Sequence, residues 1–194
     1  MITVDDFKTK LRDKSISDLV VVQRYITHGS PFVFEGDDDK YFKLKKTIAE
    51  NFSLNPEAVI MVGSAKLGFS ISPLKRWQPF HGESDIDMVI ISSDVFDRFW
   101  KELYAFNINL TARTDKEEER YYRFLNYFFK GWLRPDVFPF SYVGRNVWLD
   151  FFKSISYGEF GDYNKITGAI FRGWEFYEGY HTGNIKEIRN GGVV

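Results

Sequence analysis

Two short apolar runs stand out from a chain whose hydrophobic residues otherwise recur mostly at helical spacing. The first run, 58–62, ends abruptly in Gly-Ser, and the second run, 86–91, carries two aspartates at its beginning. Runs of four to eight β-favouring residues that are bounded by turn residues are typical of buried strands. We therefore predict strands at 58–62 and 86–91, with a short helix that begins near Ala65.

Helical periodicity and capping residues predict most of the other elements. Serines in front of the second helix and aspartates in front of the third are typical helix starts. The predicted helices cover 4–14, 16–27, roughly 40–54, the stretch after the Ser92-Ser93 pair, 115–132 and a last stretch from about Phe171. The segment 147–155, VWLDFFKSI, fits either a strand or the start of a helix.

The order of these elements indicates an α/β (α+β) fold, in which helices pack around a small and mostly buried sheet. A length of 194 residues favours a single domain, 1–194. Within it we expect an N-terminal helical segment at 1–54, a sheet core with the active-site strands at 55–155, and a C-terminal helical segment at 156–194.

Composition narrows the class of protein. Hydrophobic residues make up 44% of the chain, which is enough for a core, and the net charge of −1 gives no global field that would recruit nucleic acid. The absence of cysteine excludes disulfides and thiolate chemistry. The charged N-terminus has no signal-peptide pattern, and no apolar run is long enough to span a membrane. We therefore expect a cytoplasmic protein that makes no membrane contact.

Asp85 and Asp87 are the first candidate site residues. Residues two apart on a strand point to the same face, so these two carboxylates are expected to lie side by side. Two like charges at this distance repel each other, and a nearby positive charge must compensate them. Mg²⁺ is bound by one or two carboxylates together with substrate phosphates, and two aspartates at a strand end suit it.

Gly63 and Ser64 are the second candidate. A glycine directly after a buried strand allows a tight turn and the close approach of a ligand. The N–H groups that open the following short helix favour anions, and the Ser64 hydroxyl adds a donor. Lys66 supplies a positive charge nearby. This bend is expected to hold phosphates beside the metal.

The pattern VGSAKLG followed by SDIDMVIIS resembles the signature of the DNA-polymerase-β-type nucleotidyltransferase superfamily over residues 58–92. The resemblance implies the superfamily's fold and an active site in which Gly63 and Ser64 hold the β- and γ-phosphates of an NTP. By the same resemblance Asp85 and Asp87 would ligate Mg²⁺ or Mn²⁺, with Ser84 and Lys66 beside the nucleotide. The implied reaction is transfer of a nucleoside monophosphate to a hydroxyl of a nucleic acid, a protein or a small molecule.

The sequence departs from the superfamily pattern in two places. The spacer between the Gly-Ser pair and the aspartates is longer than usual, and it contains a basic pair, a tryptophan and a histidine, Lys75, Arg76, Trp77 and His81. It fits either a substrate-binding flap or a plain surface loop. Active members also add a third carboxylate on a neighbouring strand, and Asp150 is the best match, provided that 147–155 is a strand.

An alternative function remains open. Without a third acid, the chain would be a catalytically inactive member of the superfamily, a scaffold that binds a nucleotide or a protein through its aromatic surface. Aromatic residues make up 19% of the chain, more than a core of this size needs. Compact members of this kind resemble proteins of bacterial toxin–antitoxin and antiviral defence operons, which implies a protein partner encoded beside this one.

The remaining candidates have structural interpretations. His28, His81 and His181 show no metal-ligand spacing, so each is expected to be structural or solvated. The aromatic stretch at 172–180 fits either packing against the sheet or, less simply, a shelf for a nucleobase or acceptor.

Overall fold

A computed structural model of the chain describes residues 1–108, 113–158, 160 and 165–192. The α-helices are α1 (Val4–Arg12), α2 (Asp18–Val21), α3 (Asp38–Asn51), α4 (Gly63–Leu67), α5 (Ser93–Ile108), α6 (Asp115–Phe129), α7 (Val143–Tyr157) and α8 (Trp174–Asn190). The strands are β1 (Val59–Val62), β2 (Ile86–Ile91), β3 (Trp132–Leu133) and β4 (Ile166–Phe171). A π-helical segment, Val22–Thr27, continues α2.

The four strands form one mixed sheet in the order β1-β2-β4-β3. Strand β1 runs antiparallel to β2, β2 runs parallel to β4, and β3 runs antiparallel to β4. Helices cover both faces of this sheet, and the predicted α+β class is confirmed. The strand predictions at 58–62 and 86–91 agree with β1 and β2 to within one residue.

The sheet separates two hydrophobic cores, because side chains alternate between its faces along each strand. On one face, Met61 of β1 and Met88 of β2 pack with the buried residues of α3, α5 and α7. On the other face, Ile60 and Val89 pack with α1, the π-helical segment and α8. The N-terminal and C-terminal helices therefore meet on the same side of the sheet.

Local capping explains where several helices begin. Ser17 accepts a hydrogen bond from the backbone of α2. Asp37 does the same for α3, although the sequence favours Asp38 or Asp39 as the cap. Ser92 accepts from the Val95 N–H at the start of α5. Thr114 and Glu117 form a capping box at the start of α6, which satisfies two backbone donors at once.

Two sequence expectations are corrected by the fold. The segment 147–155 belongs to helix α7, so the strand interpretation of VWLDFFKSI is wrong. Strand β4 lies at Ile166–Phe171, inside the stretch expected to be a C-terminal helical segment. The sheet therefore extends beyond residue 155, and its central pair of strands is β2 and β4. Within the residues that the structure describes, no helix is long and apolar enough to cross a membrane.

Candidate functional site

The candidate site lies where strands β1, β2 and β4 end, along the edge of the sheet that runs across the strands. Val62, the last residue of β1, lies opposite Asp87 of β2, and Asp87 in turn lies opposite Thr167 of β4. Gly63, which follows Val62, therefore lies at the same edge. The sheet order sets Gly63, Asp87 and Thr167 in a row, with Asp87 in the middle.

Gly63 and Asp87 lie in direct contact. Gly63 has a φ of +73°, a region that favours glycine, and a Cβ built on it would lie 2.7 Å from Asp87 Oδ2. Any larger residue would have to displace this carboxylate. The absence of a side chain at Gly63 thus leaves room for the Asp87 carboxylate. A ligand that binds this carboxylate would lie beside the Gly-Ser bend.

The Asp87 carboxylate is held firmly and is largely buried. Thr167 Oγ1 donates a hydrogen bond of 2.8 Å to Asp87 Oδ1. Burial raises the pKa of Asp87, while the hydrogen bond from Thr167 and the positive charge of Arg134 act in the opposite direction. Asp85, just before β2, is exposed and adds a negative charge that further raises the pKa of Asp87. The site thus stabilises a proton or a cation at Asp87.

Arg134 is a site residue that sequence reasoning missed. It follows β3, the far strand of the sheet, and its Nε and Nη2 donate to the two carboxylate oxygens of Asp136 at 3.2 and 2.6 Å. Its charge also acts on Asp87 across the edge of the sheet. The segment around Arg134 has no periodicity in the sequence, and only the pairing of β3 with β4 brings this guanidinium to the site.

A cleft of about 970 Å³ opens above this edge. Its lining includes the predicted residues Gly63, Ser64, Ser84, Asp85 and Asp87. Four cationic side chains also line it: Lys75, Arg76, Lys130 and Arg134. The structure thus brings together five of the seven predicted site residues. The same cleft holds four cations and two further carboxylates, Glu175 and Glu187.

The loop between α4 and β2 forms one wall of the cleft. Phe69 and Pro79 form a β-bridge, and the Ser70 N–H donates to the Gln78 carbonyl at 2.8 Å, so the loop folds back on itself. Trp77 is partly buried, packs against the buried residues Phe7 and Phe69, and does not line the cleft.

Arg76 on the same loop lines the cleft, and its Nε is buried without a hydrogen-bond partner. A buried donor without a partner costs roughly 1–3 kcal/mol, which an anion in the cleft would offset. The basic part of the flap interpretation therefore fits the geometry, whereas the stacking tryptophan does not.

Lys66 does not reach the cleft, which corrects its predicted place beside the nucleotide. Its side chain is 4% exposed, and its ammonium donates to the Gly29 carbonyl. Burial, and then the charge of Lys45, lowers the pKa of Lys66 to about 8. The short helix α4 turns this side chain away from the phosphate-sized bend that Gly63 and Ser64 form.

Asp150 is also corrected. It lies on an exposed face of helix α7, and it does not line the cleft. The position beside Asp87 on the neighbouring strand is instead occupied by Thr167. Over 1–108, 113–158, 160 and 165–192, no group of three His, Cys, Asp or Glu side chains is arranged to hold a metal ion. The third carboxylate expected from the resemblance is not found in this part of the chain.

Asp85 and Asp87 are the carboxylates of the cleft whose chemistry suits a hard divalent cation. Asp87 Oδ1 is bound to Thr167, and its Oδ2 faces the space that a side chain at Gly63 would fill. Mg²⁺ binds proteins through one or two carboxylates and takes its other ligands from phosphates and water. Asp85, Asp87 and a polyphosphate together make such a set.

Other predicted candidates have structural roles. His181 is 8% exposed, and burial lowers its pKa to about 4, so it is neutral in the core. Tyr177 is fully buried, and Arg172 forms an ion pair with Asp97 at 2.9 Å. These observations favour the packing interpretation of the aromatic stretch, except for Phe176 and Tyr180, which line the cleft.

Comparison of the chain with protein-family models, with curated proteins and with solved structures gives no match.

Proposed function

We propose that this protein is a Mg²⁺-dependent nucleotidyltransferase that moves a nucleoside monophosphate from an NTP to a hydroxyl acceptor. The observation that carries the proposal is the close approach of Gly63 and Asp87, which sets the Gly-Ser bend beside a partly buried carboxylate. Four of the side chains that line the cleft are cationic, which supports the proposal, since a triphosphate needs several positive partners.

Each residue has a role in this proposal. The Gly63-Ser64 backbone and the Ser64 hydroxyl bind the β- and γ-phosphates, and Arg76 neutralises them from the loop. Asp85 and Asp87 hold the ion, and Thr167 fixes the orientation of Asp87 through its hydrogen bond. A bound Mg²⁺ would supply charge stabilisation at the transferred phosphoryl group and the leaving pyrophosphate. The chain contributes mainly positioning and electrostatics.

Radiolabelled NTPs with Mg²⁺ or Mn²⁺ and a mixture of nucleic-acid, protein and small-molecule hydroxyl acceptors test the reaction. Transfer is expected for the wild type and is expected to vanish for Asp85→Ala/Asp87→Ala. Asp150→Ala is the matched control, because it removes an exposed carboxylate outside the cleft and should leave transfer unchanged. Transfer that survives the double substitution would remove these aspartates from the mechanism.

Thr167 favours a second candidate function, a scaffold that binds a nucleotide without transferring it. A hydroxyl stands on the neighbouring strand where the resemblance calls for a third carboxylate, and the described part of the chain shows no group of three metal-binding side chains. Large exposed aromatics on α5 and α6 support a partner-binding role: Trp100, Tyr104, Tyr122 and Phe129. A protein partner from the same bacterial defence or toxin–antitoxin operon belongs to the transferase proposal as well.

Thr167→Asp distinguishes the two functions. The new carboxylate would lie beside Asp87, where like charges destabilise the fold until a cation binds. If the wild type binds NTP without transfer and the variant gains Mg²⁺-dependent transfer, the protein is a scaffold on a site that has lost its third acid. If the wild type already transfers label, the scaffold function is rejected.

A further inference from the structure

The cleft has two sides, one on each side of Asp87, and different residues line them. On the β1 side lie α4 and the loop that carries Lys75 and Arg76. On the β3 side lie Lys130 and Arg134, which come just before and just after β3, the far strand of the sheet. The sheet order β1-β2-β4-β3 thus sets Gly63 and Arg134 on opposite sides of Asp87.

Phosphoryl transfer makes the two sides chemically different. The attacking and leaving oxygens lie roughly in line through the phosphorus, so the acceptor and the pyrophosphate occupy opposite sides of it. If the triphosphate binds at Gly63 and Ser64, the pyrophosphate leaves on the β1 side. The acceptor hydroxyl must then approach from the β3 side.

Helix α8 leaves an open groove on that β3 side. Gly179 and Gly183 are one turn apart on the same face of the helix, both line the cleft, and a Cβ built on either would meet no atom within 4 Å. Tyr180 flanks this face, and it stacks on Trp132 with ring centroids 5.7 Å apart. The groove has room for a ligand group that lies against the helix backbone.

The charges of the groove indicate what it accepts. Arg134 uses two N–H groups on Asp136, which leaves three of its five donors for another acceptor. Lys130 is exposed and lines the same wall. Glu175 and Glu187 also line this side, and carboxylates of this kind accept hydrogen bonds from sugar hydroxyls.

We infer that the groove between β3 and α8 is the acceptor subsite and that the acceptor is a phosphorylated sugar, its phosphate bound by Lys130 and Arg134. This inference rests on the proposed transferase function. In the step, the acceptor hydroxyl oxygen bonds to the α-phosphorus and the bond from that phosphorus to the bridging oxygen breaks. Pyrophosphate leaves along the β1 side, and the hydroxyl proton passes to water at the open mouth of the cleft. No oxidant or reductant is involved.

Binding to the whole protein, first saturated with Mg²⁺ and a non-hydrolysable ATP analogue, tests the subsite by calorimetry. The probes are ribose 5-phosphate, AMP and 5′-phosphorylated diadenylate, each beside its unphosphorylated counterpart. We expect each phosphorylated probe that fits to bind about tenfold more tightly than its counterpart, or ~1.4 kcal/mol. AMP and the dinucleotide distinguish a free nucleotide from a nucleic-acid end.

Two variants test the location. Gly183→Leu fills the groove at an exposed helical position where leucine is a better helix former than glycine, so the fold is not harmed. Lys130→Gln removes one cation, and Lys116→Gln is its matched control at the exposed other end of α6. We expect Gly183→Leu and Lys130→Gln each to lower the affinity for the phosphorylated probe by about tenfold, while the affinity for the ATP analogue stays the same.

The outcomes separate the two proposals. If the ATP analogue binds but phosphorylated and unphosphorylated probes bind alike, or if neither binds, the acceptor inference is overturned and the transferase proposal stands. Equal probe binding by wild type and Gly183→Leu also overturns the inference. If the ATP analogue itself fails to bind with Mg²⁺, the transferase proposal fails and takes the acceptor subsite with it.

Discussion

Gly63 and Asp87 form a single unit, since the carboxylate of Asp87 occupies the space where a side chain at position 63 would stand. The antiparallel register of β1 and β2 fixes this contact, because it sets Val62 opposite Asp87. A turn and a charged strand residue, 24 positions apart in the chain, thus depend on each other.

The first prediction concerns Gly63→Ala. The alanine adopts an unfavourable φ of +73°, which costs roughly 1–2 kcal/mol, and its Cβ also displaces Asp87. Gly36→Ala is the matched control, because Gly36 has a φ of +83° and nothing within 4 Å of a built Cβ. Urea unfolding should show a larger loss in the free energy of unfolding for Gly63→Ala than for Gly36→Ala. Mg²⁺ should no longer stabilise the Gly63→Ala variant. Equal losses for the two variants would mean that the contact with Asp87 is unimportant.

The second prediction concerns the pH dependence of Asp87. Burial raises its folded pKa above 3.8, so the folded state binds this proton more tightly than the unfolded chain does. Its contribution to stability therefore falls as pH rises from 3.8 through the folded pKa. Mg²⁺ binds only the ionised carboxylate, so stabilisation by Mg²⁺ should grow with pH over the same window.

Asp87→Asn checks this argument. The amide oxygen can still accept from Thr167, but the buried charge is gone. We expect the variant to be at least as stable as wild type at pH 7 without metal. At a Mg²⁺ concentration a hundred times the dissociation constant, the wild type should gain about 2.7 kcal/mol in free energy of unfolding. The variant should not show this gain. Thermal unfolding with and without Mg²⁺ measures both, and an undiminished Mg²⁺ effect would contradict the assignment.

The third prediction separates Lys66 from Arg76. Lys66→Met keeps a long apolar stem in the core and removes an ammonium that never reaches the cleft. Its stability should change by no more than about 1 kcal/mol, and its affinity for an ATP analogue should not change. Arg76→Gln removes a cation that lines the cleft, and it should lower the affinity for the ATP analogue by about tenfold. The reverse result would return Lys66 to the nucleotide site.

The fourth prediction concerns His181, which is almost fully buried on α8 beside Tyr177 and Tyr180. Its folded pKa of about 4 lies below the ordinary 6.5, so the unfolded chain binds more protons between these values. Stability should therefore fall by roughly 2–3 kcal/mol as pH drops from 7 to about 4.5. His181→Phe, which keeps the ring, should remove most of this fall in urea unfolding. Curves of equal slope for the wild type and His181→Phe over this range would show that His181 is not buried as described.

Arg134 and Thr167 show how sequence reasoning fell short at the site. The motif residues could be predicted because each sits on its own short signal, a glycine after an apolar run or aspartates before one. Arg134 has no such local signal, and it joins the site only because β3 pairs with β4. Thr167 was overlooked because β4 itself was not predicted as a strand.

The reason that β4 was missed lies in Gly168. In the sequence this glycine looks like punctuation, but in the sheet it lies where Phe152 and Trp148 of α7 approach the backbone too closely for a side chain. A glycine that serves close packing and a glycine that serves a turn are identical as letters. A different ambiguity explains the wrong prediction for Asp150. The segment around it fits a helix pattern and a strand pattern, and only the structure shows that it is helix α7.

The sequence by itself determined the mixed α+β class, the two strands that bear the motif, and the small-residue bend and adjacent aspartates as candidate site residues. These follow from local periodicity and turn chemistry, which act over a few residues. Only the tertiary structure decided that Thr167 rather than an acid stands beside Asp87, that Lys66 points into the core, and that Arg134 closes the site. Those outcomes depend on which strands become neighbours, and the free energy that selects neighbours comes from burying whole faces of helices and sheet.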